Sequence, residues 1–330
     1  MPVELSIIIV QYKIPELLER CISSIHEHAG DVSLEIIVVN NDTEDISKTP
    51  ILSKFPKVVW LDAGYNAGFS RANNIGMRHA SGEYILILNP DTEIVEGFLR
   101  SFVSFYKVND TDNKLGLLGC RIISSVDQSL LIGSGLGFPS ISKIIQANPL
   151  YIYLTRSKKT DAVKKYDPYV MHYRNHEIDF VSGASVMIKR EKVEKYNLYF
   201  DEDFFLYSED IEWAHRVKSK DLRNYFDAEI EVYHVNSAST GFARGKFFQM
   251  QISGYLYYLK THGPIAYLFY GLVLWLNFKS NLFLLRRAKQ YDELKTERED
   301  HKVFSKYFLP ILKLYYFSSA ANKPYLRYDQ

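Results

Sequence analysis

Two acidic clusters are the residues best suited to chemistry. In "LILNPDTEIV", Leu86–Val95, an apolar run ends on Asn89, Asp91 and Glu93; in "LYSEDIEW", Leu206–Trp213, Glu209, Asp210 and Glu212 open a helix expected to run to Lys218. Acids in the first turn of a helix are favoured by its dipole, and Ser208 stands where an N-cap would, so the second cluster has a structural reading of its own. That reading does not account for the aromatic "FDEDFFLY" just before it, whose rings form a wall suited to stacking. Pro90-Asp91 likewise has a plain turn reading after a strand.

The elements around these clusters decide between such readings. "LSIIIVQY" (5–12), "LEIIVVN" (34–40), "KVVWL" (57–61) and "EYILILN" (83–89) are near-continuous Val, Ile and Leu runs, as strands covered on both faces must be. Helical stretches lie between them: Pro15 to His28, with proline in the first turn, and Ser70 to His79 after a glycine-containing loop. This alternation predicts an α/β fold with a mostly parallel sheet flanked by helices. Ligands of such sheets sit beyond the carboxyl ends of the strands, where Gln11-Tyr12, Asn40-Asn41-Asp42 and Asn89-Pro90-Asp91 should converge. A dinucleotide fold would place glycines straight after the first strand, but "VQYKIPE" has none; "GSGLG" (133–137) reads as a loop. Nicotinamide chemistry is therefore not expected. A diphosphate held without glycines needs its charge met otherwise, and a hard divalent cation on one or two carboxylates does so, a task that suits Asp91.

Composition sets outer limits. The 330 residues are 47% hydrophobic and 24% charged, enough for one large domain or a domain with an appendage. A formal net charge of +1 argues against a nucleic-acid binder. Cys21 and Cys120 form no metal spacing or disulfide framework, and "MPVELSIIIVQYK" does not read as a signal peptide, so a cytoplasmic protein is expected.

"LSIIIVQYKIPELLERCISSI", "EIIVVNND", "YNAGFSRANNIGMRHASGEYILILNPDTEI", "FVSGASVMIKRE" and "FDEDFFLYSEDIEWAHRV" occur in that order, and together they resemble the successive blocks of family 2 glycosyltransferases with the GT-A fold, most closely the rhamnosyltransferase-like branch. The resemblance covers about residues 4–240. It implies a GT-A domain over 1–240, with a nucleotide half to about 120 and an acceptor half beyond, and a C-terminal helical extension over 241–330. By residue, it implies that Asp91 serves the metal and diphosphate, that Asn89 meets sugar or ribose, that Asp210 is the general base, and that Glu209 beside it contacts the nucleotide sugar. Asn40 takes the place of the base-reading Asp usual in the family; an amide oxygen still accepts an imide N–H of uracil or thymine, without charge assistance. Gln11, Tyr12, Asn66, Gly68 and Asn73 line the nucleotide side, Arg71 reaches the diphosphate, and Gly183 lets backbone approach the sugar. His234 approaches the metal or the diphosphate. The implied reaction is an inverting transfer of one sugar from dTDP- or UDP-sugar to a glycan or lipid-linked acceptor, with Mg²⁺ or Mn²⁺. Processive members carry Q-x-x-R-W, which residues 241–262 lack, so one sugar per encounter is expected. Two other classes fit less well: a nucleotidyltransferase would want a glycine-rich basic loop after the first strand, and a non-catalytic glycan binder is suggested only by Asn at both 40 and 89.

Aromatic content is 15%, with 25 Tyr, and it concentrates toward the C-terminus. "PIAYLFYGLVLWLNFKSNLFLLRRAK" (264–289) holds an apolar run of about 14 residues before Lys279, short of the ~20 a spanning helix needs. Two readings stand open. Tyr267, Tyr270 and Trp275 with Arg286, Arg287 and Lys289 suit a helix lying at the inner face of an anionic membrane; the same apolar face would suit a homo-oligomer interface.

Overall fold

The computed structural model describes residues 2–44, 48–131, 137–148, 171–235, 243–317 and 327–328. The "GSGLG" loop, but for Gly137, lies outside the described residues. The chain divides into two compact units, Met1–Gly137 with Pro168–Gly241 and Phe138–Asp167 with Phe242–Gln330.

In the first unit the strands are β1 (Leu5–Gln11), β2 (Leu34–Asn40), β3 (Val59–Asp62), β4 (Tyr84–Leu88), β5 (Thr92–Ile94), β6 (Leu115–Ser124), β7 (Leu130–Leu131), β8 (His176–Ile178), β9 (Ser185–Lys189) and β10 (Arg223–His234). They form one sheet in the order β3-β2-β1-β4-β9-β6-β10-β5, with β7 on β6 and β8 on β10. Strands β3, β2, β1 and β4 are mutually parallel, as the apolar runs predicted. Beyond β4 the sheet is mixed: β9 runs antiparallel to both β4 and β6, and β5 antiparallel to β10. The helix Pro15–Glu27 opens on its proline and buries Leu18, Cys21, Ile22 and Ile25, a 3- and 4-residue spacing that makes one apolar stripe. With Leu5, Ile7 and Ile9 of β1 and Leu86 and Leu88 of β4 these residues belong to one core, where each aliphatic side chain contributes about 1.5–3 kcal/mol. Both cysteines are buried and free, and burial pushes each thiol up to about 12; neither is placed to act as a nucleophile.

The third strand begins two residues later than the expected 57–61 and ends on Asp62. Gln11, Asn40 and Asp62 thereby become Cα partners in one row across the carboxyl edge of β1, β2 and β3. Partners in register point to the same face of a sheet.

In the second unit a helix from Ala243 to Arg287 is broken at Gly263 (φ 79°, ψ 175°), just before Pro264, and a further helix spans Tyr291–Leu312. Tyr267 stacks on Phe308 with ring centroids 4.1 Å apart and donates its hydroxyl to the Phe308 carbonyl at 2.7 Å. Tyr255 and Phe304 complete this aromatic cluster. The expectation that Tyr267 and Tyr270 look outward is corrected: Tyr267 is 0% exposed and Tyr270 stacks on Tyr258. Trp275 does face outward, in a stripe with Ile265, Leu268, Phe269, Leu272, Leu276 and Phe283, followed by exposed Arg286, Arg287 and Lys289. The segment Gly245–Arg287 is long and apolar enough to cross a membrane by length and composition. This exceeds the short run counted in the sequence because it takes in the helical stretches on both sides of the break at Gly263.

Candidate active site

The Asn89–Thr92 turn sits at the end of β4. The Asn89 carbonyl accepts from the Thr92 hydroxyl at 2.7 Å, which closes the turn. Antiparallel pairing of β5 with β10 sets His234 opposite Thr92, so His234 Nε2 lies 3.2 Å from Asp91 Oδ1 and 3.3 Å from Asn89 Nδ2. Asp91, Asn89 and His234 are thus brought together from positions far apart in the chain. Asp91 is not in an open crevice as a strand-end carboxylate was expected to be; it is 6% exposed. Glu93, two residues on, pairs with Arg20 instead.

The donor set of Asp91 and His234 fits a divalent cation. Two neighbouring ligands around an octahedral ion with bonds of ~2.1 Å stand ~3 Å apart, close to the observed spacing. His234 Nδ1 is buried without a partner, so the ring lacks the outer hydrogen bond that usually orients a metal-bound imidazole. Of the two, Asp91 would be the stronger ligand. Among the described residues no three His, Cys, Asp or Glu cluster, so an ion held here would take its other ligands from phosphate and water.

Asp210 stands at the start of the helix Glu209–Lys218. Its carboxylate accepts from the backbone N–H of Ile211 at 2.9 Å and of Gly183 at 3.2 Å, leaving lone pairs on both oxygens. Burial raises its pKa. Glu209 is pushed well up by burial and then by the Asp210 charge, and one of its oxygens has no partner. Glu212 is a structural acid, bound through both oxygens to Arg216. Ser208 occupies the N-cap position but does not cap: Tyr207 and Ser208 are both left-handed (φ 70° and 64°), and the hydroxyl makes no capping bond. Two consecutive non-glycine residues in that region carry strain of about 1–3 kcal/mol each, directly before the acidic pair.

The Ser182–Ala184 bend connects the two acidic sites. The Asn89 N–H donates to the Ala184 carbonyl at 2.9 Å, while the adjacent Gly183 N–H holds Asp210. A side chain at Gly183 would come within 3.3 Å of the Phe69 ring and 3.6 Å of Asp210 Cβ, so glycine keeps this approach open.

Among the residues expected to line a nucleotide, Asn66 Oδ1 accepts from the Gly68 N–H at 3.2 Å, and Gly68 (φ 72°) would drive a Cβ into the Phe205 carbonyl. Asn41 braces this turn by donating to the Gly68 carbonyl at 3.0 Å and accepting from the Ala67 N–H at 2.7 Å, a role its sequence position only hinted at. Tyr12 is half-buried, with the Lys13 ammonium 5.4 Å from its ring centre. Gln11 is fully buried, and neither polar atom of its amide has a partner. Asn73 is buried rather than facing the crevice, donating to the Phe69 carbonyl at 3.0 Å. Arg71 Nε donates to the Glu202 carbonyl at 3.2 Å, and Asn74 and Arg78 bind the Glu202 carboxylate. Glu202, which the sequence did not single out, ties the helix Gly68–His79 to the loop before Asp210. Half of the aromatic wall is core: Phe200 packs on Trp213 with centroids 4.4 Å apart and Phe204 is 1% exposed, while Phe205 and Tyr207 are half-buried.

Residues 6–197 match the family described as glycosyl transferase family 2. The chain belongs to that family. It is 28% identical over 227 residues to the low-salt glycan biosynthesis hexosyltransferase Agl10 of Haloferax volcanii, a match spanning 66% of this chain and 63% of that protein. It is 23% identical to the N-acetylglucosaminyl-diphospho-decaprenol L-rhamnosyltransferase of Mycobacterium tuberculosis, over 72% of this chain and 78% of that one. A rhamnosyltransferase is thus among the relatives, in keeping with the branch the sequence resembles. The mannosyltransferase PcManGT of Pyrobaculum calidifontis, solved with GDP-Man and Mn²⁺, superposes with a TM-score of 0.52 at 15% identity, covering 96% of this chain and 88% of that one. That likeness shows the shared GT-A-type fold.

Proposed function

We propose that this chain is an inverting, metal-dependent glycosyltransferase. It moves one sugar, rhamnose or another hexose, from a dTDP- or UDP-sugar to a glycan or lipid-linked glycan precursor. The observation that carries this reading is the Ser182–Ala184 bend, which bonds both to the Asn89-Pro90-Asp91 turn and to Asp210. One carboxylate on each side of a sugar is what a single in-line displacement needs. Asp210 takes the proton of the acceptor hydroxyl as the new bond to the anomeric carbon forms and the bond to the diphosphate oxygen breaks. Asp91 and His234 hold a divalent cation, Mg²⁺ or Mn²⁺, whose charge stabilises the leaving nucleoside diphosphate. Asn89 meets the sugar or ribose, and Gly183 admits the sugar beside Asp210, with Glu209 behind it. Gln11, Tyr12, Asn40, Asn66, Gly68, Arg71 and Asn73 form or brace the nucleotide side.

A thermal-shift panel of nucleoside diphosphates and nucleotide sugars, each with Mg²⁺, Mn²⁺ or chelator, tests the donor. A ligand at 100 times its Kd adds about 2.7 kcal/mol to stability, so dTDP- or UDP-sugars with metal should raise Tm by several degrees and chelator should cancel the shift. A panel in which no nucleotide shifts Tm with either cation would overturn the reading.

The same proposal places the protein at the inner membrane face. The outward stripe of Ile265, Leu268, Phe269, Leu272, Trp275, Leu276 and Phe283 meets the lipid, and Arg286, Arg287 and Lys289 meet anionic headgroups, each contributing about 1 kcal/mol. The whole chain should pellet with anionic vesicles and not with neutral ones, and Arg286→Glu/Arg287→Glu should release it. A stable dimer that ignores anionic vesicles would make the stripe a subunit interface instead.

A further inference from the structure

We infer that Asp62, together with the Asp42 backbone, helps select the nucleobase by holding the Asn40 amide so that only its oxygen is left to meet a ligand. This rests on the proposal that Asn40 faces the base of the donor.

Asn40 Nδ2 spends both hydrogens, one on the Asp42 carbonyl at 2.9 Å and one on Asp62 Oδ1 at 3.1 Å. Its Oδ1 accepts one bond, from the Asp42 N–H at 3.0 Å, so one lone pair remains. Asp62, about half exposed, accepts from Trp60 Nε1 on Oδ1 at 3.0 Å and from Lys48 Nζ on Oδ2 at 2.8 Å. The Lys48 ammonium keeps this carboxyl below its ordinary range, so at neutral pH it is an acceptor only. Turning the Asn40 amide over would set oxygen against oxygen at Asp62 and nitrogen against the Asp42 N–H. The pair therefore does what a single carboxylate would do at this position: it offers an acceptor and refuses an acceptor. A base with an N–H at that point is received. Uracil and thymine present N3–H there, whereas cytosine presents a bare N3 lone pair. A lone pair facing a lone pair in a buried site costs about 1–3 kcal/mol, roughly 5- to 150-fold in affinity.

Calorimetric titration of the whole chain with UDP and with CDP, in Mn²⁺, reads the effect. The wild type should prefer UDP at least about fivefold. Asp62→Asn leaves only the two Asp42 backbone contacts to hold the Asn40 amide, and the UDP-to-CDP ratio should fall with little change in Tm. Asn40→Asp alone sets two carboxylates against each other and should weaken UDP. Asn40→Asp with Asp62→Asn relieves the clash at position 62, though not the one with the Asp42 carbonyl, and should recover part of the affinity and the preference. An unchanged ratio in Asp62→Asn, or a double variant no better than Asn40→Asp, overturns the inference while leaving the transferase reading intact. A wild type that binds no nucleoside diphosphate overturns the transferase reading and this inference with it.

Discussion

Asp91→Asn is expected to abolish transfer while leaving the protein folded. Asparagine keeps the shape of the side chain and an oxygen for His234 Nε2, 3.2 Å away, so the cost in stability should be about 1 kcal/mol. What it removes is the negative charge that anchors a divalent cation. Losing Lewis-acid stabilisation of the leaving diphosphate costs several kcal/mol, which is about 10³-fold or more in turnover. Asparagine is preferred to alanine because Asp91 is buried, and an alanine would leave the imidazole facing a hole. His234→Ala should cost less than Asp91→Asn, since that ring lacks an outer hydrogen bond. Turnover and metal titration of the two variants, beside melting curves, check this. Normal turnover by Asp91→Asn, with wild type still active in chelator, would remove both the metal and Asp91 from the mechanism.

The parts of this site that the sequence revealed are those fixed locally. A continuous apolar run ending in Asn-Pro-Asp marks both a buried strand and the polar group at its carboxyl end, so β1, β2, β4 and the Asp91 turn were readable. The convergence of His234 on Asp91 depends on β5 pairing with β10, a contact between segments about 140 residues apart that no local pattern encodes. Asp62 was overlooked because an acid ending a short strand of partly exposed residues reads as a solvated terminus, and its meaning depends on register with Asn40. Ser208 misled for a different reason. Residue type favours a cap, but the left-handed backbone at Tyr207 and Ser208 overrides it. Tyr267 and Tyr270 misled because a helix apolar all round does not announce which side is core; the stacking on Phe308 and Tyr258 settles that within the second unit.

Asp210→Asn should lose turnover and gain stability at neutral pH, a combination that distinguishes a catalytic carboxylate from a structural one. The amide keeps an oxygen for one backbone N–H but cannot accept a proton, so turnover should fall by roughly 10²–10⁴. Donor affinity should barely change, because the side chain serves the acceptor. The pH dependence follows from burial, which raises the pKa of Asp210 in the folded protein. A base works only when deprotonated. Activity should therefore disappear on acidification at a pH above the ~3.9 of an ordinary aspartate. Stability has the opposite sense. A carboxyl whose folded pKa exceeds its unfolded value favours the fold while protonated, and that contribution is lost as pH rises through the folded pKa. The charge is then a cost at neutral pH, compounded by Glu209 beside it, and removing it should raise Tm there while changing little in acid. Melting curves and donor titrations of Asp210→Asn and wild type at neutral and acidic pH, alongside the pH profile of kcat/KM, test every part. A donor Kd that weakens in step with turnover would move Asp210 to the nucleotide side. A lower Tm at neutral pH would mean that the two backbone N–H groups of Ile211 and Gly183 compensate the buried charge, and that the strain at Tyr207 and Ser208 serves something other than holding an uncompensated base.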